Sequence, residues 1–244
     1  MKQVLILGAT SGISKALAYH FASKKVDLIL AGRDMEELGR LASDLEIRYE
    51  IHAKTINFDA LKEENTFFER CIQLAGDLDG MIVSYGLMYD QKEMERNGSL
   101  IREMTDINYT STIILLEEAA RYFEKKQKGC ICAISSVAGD RGRRSNYIYG
   151  ASKGALTVYL QGLRNRLANS KVNVLTVKPG FVDTKMTYGL IKPTILVASP
   201  AKVAASIYQS ILKKKEILYT PWYWFYIMKI IRLIPEKLFK RMKW

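Results

Sequence analysis

The chain of 244 residues has little of several features that mark common protein classes. Its three cysteines, Cys71, Cys130 and Cys132, are too few and too unevenly spaced for a zinc site, so no metal is predicted. We expect small buried side chains in a reducing compartment. The start, MKQVLILGATSG, has no apolar stretch long enough for a signal peptide, which predicts a cytoplasmic protein. There is no linker rich in Pro, Gly or Ser and no internal repeat, so one domain is expected.

Acidic residues are fewer than basic residues. The chain has 37 Lys and Arg against 25 Asp and Glu, a formal net charge of +12. The excess is uneven, because residues 213–244 hold nine Lys or Arg and two Glu, which places +7 of it in the tail. A basic tail on a mildly basic body makes a nucleotide-sensing or nucleic-acid-binding protein the weakest alternative, and we predict no nucleic acid partner.

Short apolar runs alternate with segments of helical length along most of the chain. Six runs are predicted as strands: QVLILG, DLILAGR, YEIHAKTINFD, LDGMIVSYG, GCICAISS and KVNVLTVKPG. Continuous apolar strands between helices indicate a parallel sheet covered on both faces. The expected fold class is α/β, with one doubly wound Rossmann-type domain over residues 1–215 and an amphipathic tail over residues 216–244.

The first predicted strand ends in the glycine turn GATSGIS. Gly8 and Gly12 allow a sharp turn and a close approach to a pyrophosphate, which would lie at the N-terminus of a helix beginning near Ile13. Ser14 stands where a third glycine usually permits close helix packing, and it is small enough to fit there. A glycine turn between a strand and a helix is also ordinary packing, so this motif alone is weak.

The second predicted strand ends in LAGRDMEEL. An acidic side chain at the position of Gly32 would accept the ribose hydroxyls of NADH, whereas Gly32 followed by Arg33 leaves room for a 2′-phosphate and supplies a guanidinium to bind it. This pair predicts NADP(H) as cofactor. The alternative is that Arg33 is a solvated surface charge; Asp34 is expected to be the N-cap of the next helix in either case.

YIYGASKGAL places Tyr149 four residues before Lys153, on one face of a helix. A phenol, with a pKa of about 10, exchanges protons poorly near neutrality, and a nearby cation favours the phenolate. We therefore expect Lys153 to move the pKa of Tyr149 toward working pH and make it an acid or base. As an isolated pair, such residues usually form only a helix surface.

Five motifs occur in order: GATSGIS, INYTSTI, ISSVAG, YGASK and VKPGFVDT. Together they resemble the classical short-chain dehydrogenase/reductases over residues 1 to about 215. The resemblance implies a catalytic tetrad of Asn108, Ser136, Tyr149 and Lys153. Tyr149 would give its proton to a carbonyl oxygen, and Ser136 would hydrogen-bond the same oxygen. Lys153 would also hold the nicotinamide ribose, and Asn108 would anchor a water for proton relay.

The same resemblance implies the contacts to the cofactor. Asp59 matches a residue that contacts the adenine amine, and Thr184 matches a hydroxyl that binds the carboxamide, although both are ordinary turn or cap residues. The family's usual NNAG is SYGL here, where only Gly86 clearly keeps its role, so local hydrogen bonding is in question. The implied cofactor residues are Gly8, Thr10, Ser11, Gly12, Ile13, Arg33, Asp59, Gly86, Tyr149, Lys153, Pro179, Gly180, Val182 and Thr184.

Four further stretches, ILGATS, VSYGLMYDQ, SVAGDRGRRSNYIYG and YTPWYWFYIMKII, are similar to the bacterial decaprenylphosphoryl-2-keto-ribose reductases. This similarity implies reduction of the 2-keto group of a polyprenylphosphoryl pentose in cell-envelope glycan synthesis. It also implies an upstream flavin oxidase as partner and a homodimer or homotetramer. A soluble carbonyl reductase for a lipid, steroid-like or small keto substrate is the alternative, because the family's catalytic residues serve many substrates.

Three arginines lie between Ser136 and Tyr149: Arg141, Arg143 and Arg144. A loop in this place overhangs the active site, where guanidinium groups bind a substrate phosphate well. Solvated loop charges are the alternative.

The tail has helical periodicity. Its longest uncharged run, residues 217–228, is too short to span a bilayer. Aromatic residues followed by a basic amphipathic helix favour an anionic membrane interface at the cytoplasmic face, and an arm packed on a partner subunit is the alternative. The predicted apolar side is Ile227, Ile230, Ile231, Ile234, Leu238 and Met242. The predicted polar side is Lys229, Arg232, Glu236, Lys240 and Lys243.

Overall fold

The computed structural model describes residues 1–62, 66–185, 187 and 196–242. Within these ranges the strands are β1 (Gln3–Leu7), β2 (Asp27–Gly32), β3 (Ala53–Asn57), β4 (Gly80–Val83), β5 (Gly129–Ile134), β6 (Val172–Pro179) and β7 (Ile217–Thr220). The α-helices are α1 (Gly12–Ala22), α2 (Met35–Tyr49), α3 (Phe67–Ala75), α4 (Gln91–Arg96), α5 (Gly98–Thr105), α6 (Ser111–Lys126), α7 (Tyr147–Leu167), α8 (Pro200–Leu212), α9 (Tyr223–Leu233) and α10 (Glu236–Phe239).

The strands form one parallel sheet in the order β3-β2-β1-β4-β5-β6-β7. From β1 to β3 the strands are added toward one edge of the sheet, and from β4 to β7 they are added toward the other. This reversal of strand order between β1 and β4 makes the fold doubly wound. One apolar core packs α1, α2 and α8 on one face of the sheet, and a second packs α3, α6 and α7 on the other. The predicted fold class is confirmed.

The predicted third strand begins too early. Residues 49–52 were expected in the strand, but α2 continues through Tyr49 and ends at Glu50, whose φ of 51° is left-handed. The helix is capped at its start as predicted, because the Asp34 carboxylate accepts from the backbone N–H of Glu37 at 2.8 Å. Strand β3 therefore starts only at Ala53.

The cysteines are buried in the core, as predicted from their low number and spacing. Burial raises the pKa of the Cys130 thiol to about 12 and also raises that of Cys132. Because the thiolate is the reactive form, neither of these two strand residues is a chemical participant near neutral pH.

The tail adopts a different arrangement from the predicted single helix. Its first part, β7, joins the sheet beside β6, and the helix is interrupted at Pro235 between α9 and α10. The side that packs on the body consists of Trp224, Met228, Ile231 and Phe239, with Ile227, Ile234 and Met242 partly buried. Ile230 and Leu238, predicted on the same apolar side as Ile231 and Ile234, do not pack with them and are 65% and 58% exposed. Lys243 lies outside the described residues.

Candidate active site

The predicted cofactor residues meet at one edge of the sheet. Those in the glycine turn follow β1, Arg33 follows β2, Asp59 follows β3, and Gly86 follows β4. Pro179 ends β6, and Gly180, Val182 and Thr184 come directly after it, while Tyr149 and Lys153 lie on α7. The carboxyl edge of a doubly wound sheet is where such folds bind ligands.

The turn after β1 has the geometry that the sequence predicts. Gly8 has a φ of +74°, and a Cβ there would lie 2.8 Å from the Cβ of Tyr85, so only glycine fits. Ser11 is the N-cap of α1, and its hydroxyl accepts from the backbone N–H of Ser14 at 3.4 Å. Ser14 is fully buried, which agrees with its predicted packing role. The start of α1, where a helix has backbone N–H groups without partners in the helix, therefore lies at the carboxyl edge.

Residues distant in sequence come together over this turn. A Cβ on Gly12 would lie 3.1 Å from the methyl group of Thr184, so the loop after β6 covers the start of α1. Arg33 is exposed at the end of β2, with its side chain accessible. The Asp59 carboxylate accepts from the backbone N–H of Leu61 at 3.1 Å and so also serves the turn after β3.

Ser136, Tyr149 and Lys153 form one cluster. Ser136 follows β5, and its hydroxyl accepts from the backbone N–H of Ala138 at 3.1 Å while also hydrogen-bonding Tyr149. Tyr149 and Lys153 lie one turn apart in α7, with the Lys153 ammonium 6.0 Å from the centre of the phenol ring. The ammonium donates to the backbone carbonyl of Ile134 at 3.1 Å. A proton donor, a hydrogen-bonding hydroxyl and a buried cation thus share one site.

The expected direction of the pKa shift at Tyr149 is wrong in this structure. Burial raises the pKa of the phenol to about 12, and the hydrogen bond with Ser136 only partly opposes that shift. Burial also lowers the pKa of Lys153 to about 8. Removal from water penalises each charged form, and here this effect is larger than the attraction between ammonium and phenolate. Tyr149 is therefore a protonated acid throughout the physiological range.

Asn108 lies in a π-helical turn, Asp106–Thr110, between α5 and α6. Its amide oxygen accepts from the backbone N–H of Leu87 at 2.7 Å, and its nitrogen donates to the Leu87 carbonyl at 2.8 Å and to the Ser152 hydroxyl at 3.2 Å. A Cβ on Gly86 would lie 3.1 Å from this amide oxygen and 3.2 Å from the Lys153 ammonium. The side chain therefore holds the SYGL segment against α7, and the water relay stays a prediction.

A family model and several known proteins match most of this chain. The family model for short chain dehydrogenase matches residues 2–193. The chain belongs to the short-chain dehydrogenase family. It is an oxidoreductase of that family.

Two curated relatives and one solved structure illustrate how far the similarity extends. An uncharacterised oxidoreductase of Mycobacterium tuberculosis is 29% identical over 241 residues, covering 98% of this chain and 96% of the relative. One from Streptomyces coelicolor is 30% identical over 244 residues, covering 99% and 96%. A short-chain dehydrogenase from Sphingobium yanoikuyae, solved in complex with NADPH, has a TM-score of 0.84 at 22% identity, covering 100% and 97%. The structural likeness shows the shared fold.

In the dehydrogenase, the three arginines between Ser136 and Tyr149 have different surroundings. Arg141 donates to the backbone carbonyls of Ile231 and Ile234, each at 2.6 Å, so its guanidinium is bound to the tail. This corrects its expected role as a phosphate ligand, because the groups that would bind phosphate are already engaged. Arg144 is exposed, whereas Arg143 is partly buried. The Arg143 Nε atom is buried and has no hydrogen-bond partner among the described residues.

Sequence reasoning missed a buried ion pair beneath the same loop. Lys178 in β6 pairs with Asp140, and the Tyr219 hydroxyl donates to the other Asp140 oxygen at 2.7 Å. Both charged side chains are almost completely buried. Lys178 is the one charged residue of β6, and a buried charge is costly unless it is paired. That charge was the available signal in the dehydrogenase sequence.

Proposed function

We propose that this protein reduces a ketone to a secondary alcohol with NADPH, and that the ketone is the 2-keto group of a polyprenylphosphoryl pentose used for cell-envelope glycan precursors. The observation that supports the reaction is the cluster of Ser136, Tyr149 and Lys153 beside the glycine turn. It combines an acid and a hydrogen-bond donor at the edge where this fold binds its cofactor.

Each residue of the cluster has a chemical task in the proposal. When bound, NADPH supplies a hydride to the carbonyl carbon. Tyr149, protonated at neutral pH, donates its proton to the carbonyl oxygen, and the Ser136 hydroxyl hydrogen-bonds that oxygen as negative charge develops. The Lys153 ammonium stabilises the phenolate that remains. Asn108 hydrogen-bonds both the Leu87 backbone and Ser152 on α7, so it holds the segment after β4 at a fixed distance from the helix that carries Tyr149 and Lys153.

The residues at the carboxyl edge fit NADPH. The start of α1 offers backbone N–H groups to a pyrophosphate, and the Thr184 side chain lies against Gly12 on the opposite side of the turn. Arg33 is exposed where a 2′-phosphate would lie, and no acidic side chain occupies position 32. The fold is that of the Sphingobium dehydrogenase solved with NADPH, which supports the same cofactor here.

Arg33→Ala tests the cofactor proposal. The substitution should weaken NADPH binding by about 1.5–3 kcal/mol, the contribution of a hydrogen bond to a charged group. NADH binding should be unchanged because NADH lacks the 2′-phosphate. Fluorescence titration of both cofactors measures this. Equal affinity of the unaltered protein for NADH and NADPH would contradict the assignment.

The loop between Ser136 and Tyr149 supports a polar, anionic substrate. Arg143 Nε and Asn146 Oδ1 are buried atoms without a hydrogen-bond partner in the described part of the chain. Burial also lowers the pKa of the Arg143 guanidinium. Since buried polar groups are normally paired, the arginine suits a phosphate and the amide suits a sugar hydroxyl. We assign the phosphate contact to Arg143, with Arg144 as an outer charge.

Arg143→Met should lower kcat/KM for the polyprenylphosphoryl 2-keto-pentose by about 10- to 150-fold, which corresponds to about 1.5–3 kcal/mol for a charged hydrogen bond. NADPH affinity should stay the same. Steady-state kinetics on the lipid-linked and the free keto-pentose measure the effect, with Arg70→Met, an exposed arginine on α3, as the matched control. Equal losses on the free sugar, which has no phosphate, would reject the contact.

We also propose that the tail attaches the protein to the cytoplasmic face of an anionic membrane, where a lipid-linked substrate resides. None of the described helices is long and apolar enough to cross a membrane. The outward side of α9 and its N-cap instead present Trp222, Ile230 and Leu233, which are 72%, 65% and 75% exposed. Exposed Lys229 and Arg232 flank them. Apolar side chains beside basic ones favour an interfacial position.

The membrane proposal is tested by altering the outward side of α9 only, because removing the tail would also remove its packed side. The triple variant Trp222→Ser, Ile230→Ser, Leu233→Ser should bind phosphatidylglycerol vesicles at least about tenfold more weakly, since each buried apolar side chain contributes about 1.5–3 kcal/mol. Vesicle sedimentation measures it. Ile47→Ser, at a position 82% exposed on α2, is the control. Unchanged sedimentation of the triple variant would refute attachment through α9.

A soluble carbonyl reductase for a lipid, steroid-like or small keto substrate is the second candidate. The observation that favours it is the apolar neighbourhood of Tyr149, which packs with Met94, Met104 and Ala138 in one cluster. An apolar wall suits a hydrophobic ketone as well as a lipid chain. A steroid-like ketone reduced as efficiently as the lipid-linked sugar, with no effect of Arg143→Met, would favour this candidate.

A further inference from the structure

Arg141 connects the segment between Ser136 and Tyr149, here called the catalytic loop, to the C-terminal end of α9. Its Nη1 donates to the carbonyls of Ile231 and Ile234 at 2.6 Å and to that of Arg232 at 3.3 Å. Its Nη2 donates to Glu236 at 2.9 Å, and the guanidinium lies 3.8 Å from the centre of the Phe239 ring. The last carbonyls of a helix lack partners within the helix, so a cation there serves as its cap.

The residue before Arg141 is anchored independently. Asp140 pairs with Lys178 in β6 and accepts from the Tyr219 hydroxyl in β7 at 2.7 Å. Two consecutive loop residues are thus fixed, one to the sheet and one to the tail. A single contact leaves a loop free to rotate about it, whereas two contacts of different direction define its path.

The tail also packs directly on the segment next to Ser136. Trp224, Met228 and Ile231 form one cluster with Val137, the residue that follows Ser136. The Trp224 indole covers Gly180 so closely that a Cβ on that glycine would overlap the ring. The packed side of α9 therefore contacts both the catalytic loop and the loop after β6, from which Thr184 reaches the glycine turn.

We propose that Arg141 is a positioning residue: by capping α9, it holds the segment between Ser136 and Tyr149 in the arrangement that the reaction needs. The inference rests on the proposed reductase function for its kinetic consequence only. Arg143 lies two residues further along this segment, so loss of the anchor displaces the proposed phosphate contact as well. Displacements of about 1 Å cost about 100-fold in rate when they disturb an aligned site.

Three variants of the full chain test the anchor. Arg141→Met removes every donor, Arg141→Lys keeps the charge but lacks the planar fork that reaches several carbonyls, and Glu236→Gln weakens the contact from the tail side. Hydrogen–deuterium exchange of residues 137–146 and 223–239 reports the anchor whether or not a substrate is known. Arg70→Met on α3 is the matched control.

Arg141→Met should accelerate exchange in both segments and lower kcat/KM for the ketone by about 10- to 100-fold. NADPH affinity should fall by less, because α9 contacts the cofactor site only through Gly180 and the loop after β6. Arg141→Lys should recover part of the loss, and Glu236→Gln should move exchange in the same direction by less. If Arg141→Met does not fold, the other two variants decide. Unchanged exchange in residues 137–146 would overturn the proposal, as would equal losses in ketone turnover and NADPH affinity. Faster exchange in a protein that reduces no ketone would leave the anchor in place and reject the function.

Discussion

Tyr149→Phe should lower ketone reduction by about 10²–10⁴-fold, the contribution of a positioned general acid. The phenol is buried in an apolar cluster, and its pKa of about 12 keeps it protonated. Phenylalanine fills the same space but cannot donate a proton. Single-turnover measurements with saturating NADPH isolate the chemical step.

The change should leave the rest of the protein nearly intact. The backbone carbonyl of Tyr149 still accepts from Ser152, and no charge is lost from the core. NADPH affinity and the thermal unfolding midpoint therefore serve as controls. Turnover by the variant at the unaltered rate would remove Tyr149 from the mechanism.

Lys153 gives the second large effect, seen in the pH profile. Its pKa is lowered to about 8, so the ammonium is present below that pH and is lost as the pH rises through it. With a pKa of about 12, Tyr149 stays protonated over this range, so Lys153 is the member of this pair that titrates. Since the ammonium stabilises the phenolate, kcat for reduction should be constant below about pH 8 and fall above it, by tenfold per pH unit.

Lys153→Met should reduce kcat by about 100-fold at neutral pH, within the range of general acid catalysis, and abolish the decline above pH 8. Lys153 is buried without an acidic partner among the described residues, so an apolar side chain of similar volume removes a desolvation penalty and the fold should persist. Rates between pH 6 and pH 10 with saturating NADPH measure this. A variant that retains the same alkaline limb would show that another group titrates there.

Much of the fold follows from local patterns. The first six strands and the helix carrying Tyr149 and Lys153 are recognisable because parallel strands are continuously apolar and helices separate them. β7 was missed because Ile217–Thr220 is short and leads directly into aromatic residues. The tail was predicted incorrectly because α9 has two apolar sides, and periodicity does not say which of them the body covers. That choice depends on tertiary partners such as Val137 and Phe181.

The sequence predicts which residues form the candidate site better than it predicts their pKa values and contacts. Motif spacing places Ser136, Tyr149 and Lys153 together, but the direction of the Tyr149 pKa shift depends on burial, which spacing does not reveal. Arg141 and Arg143 have the same chemistry in sequence. Only the fold shows that one is bound to the end of α9 and the other has a buried nitrogen without a partner in the described residues.

The most direct test of the central claim is NADPH oxidation by the 244-residue protein, measured side by side on a polyprenylphosphoryl 2-keto-pentose, the free keto-pentose and a simple ketone. We expect one secondary alcohol per NADPH consumed, the highest kcat/KM on the lipid-linked ketone, and loss of the reaction in Tyr149→Phe. Efficient turnover of the free sugar or the simple ketone would contradict the lipid-linked substrate. No NADPH-dependent reduction of any of the three would contradict the reductase function itself.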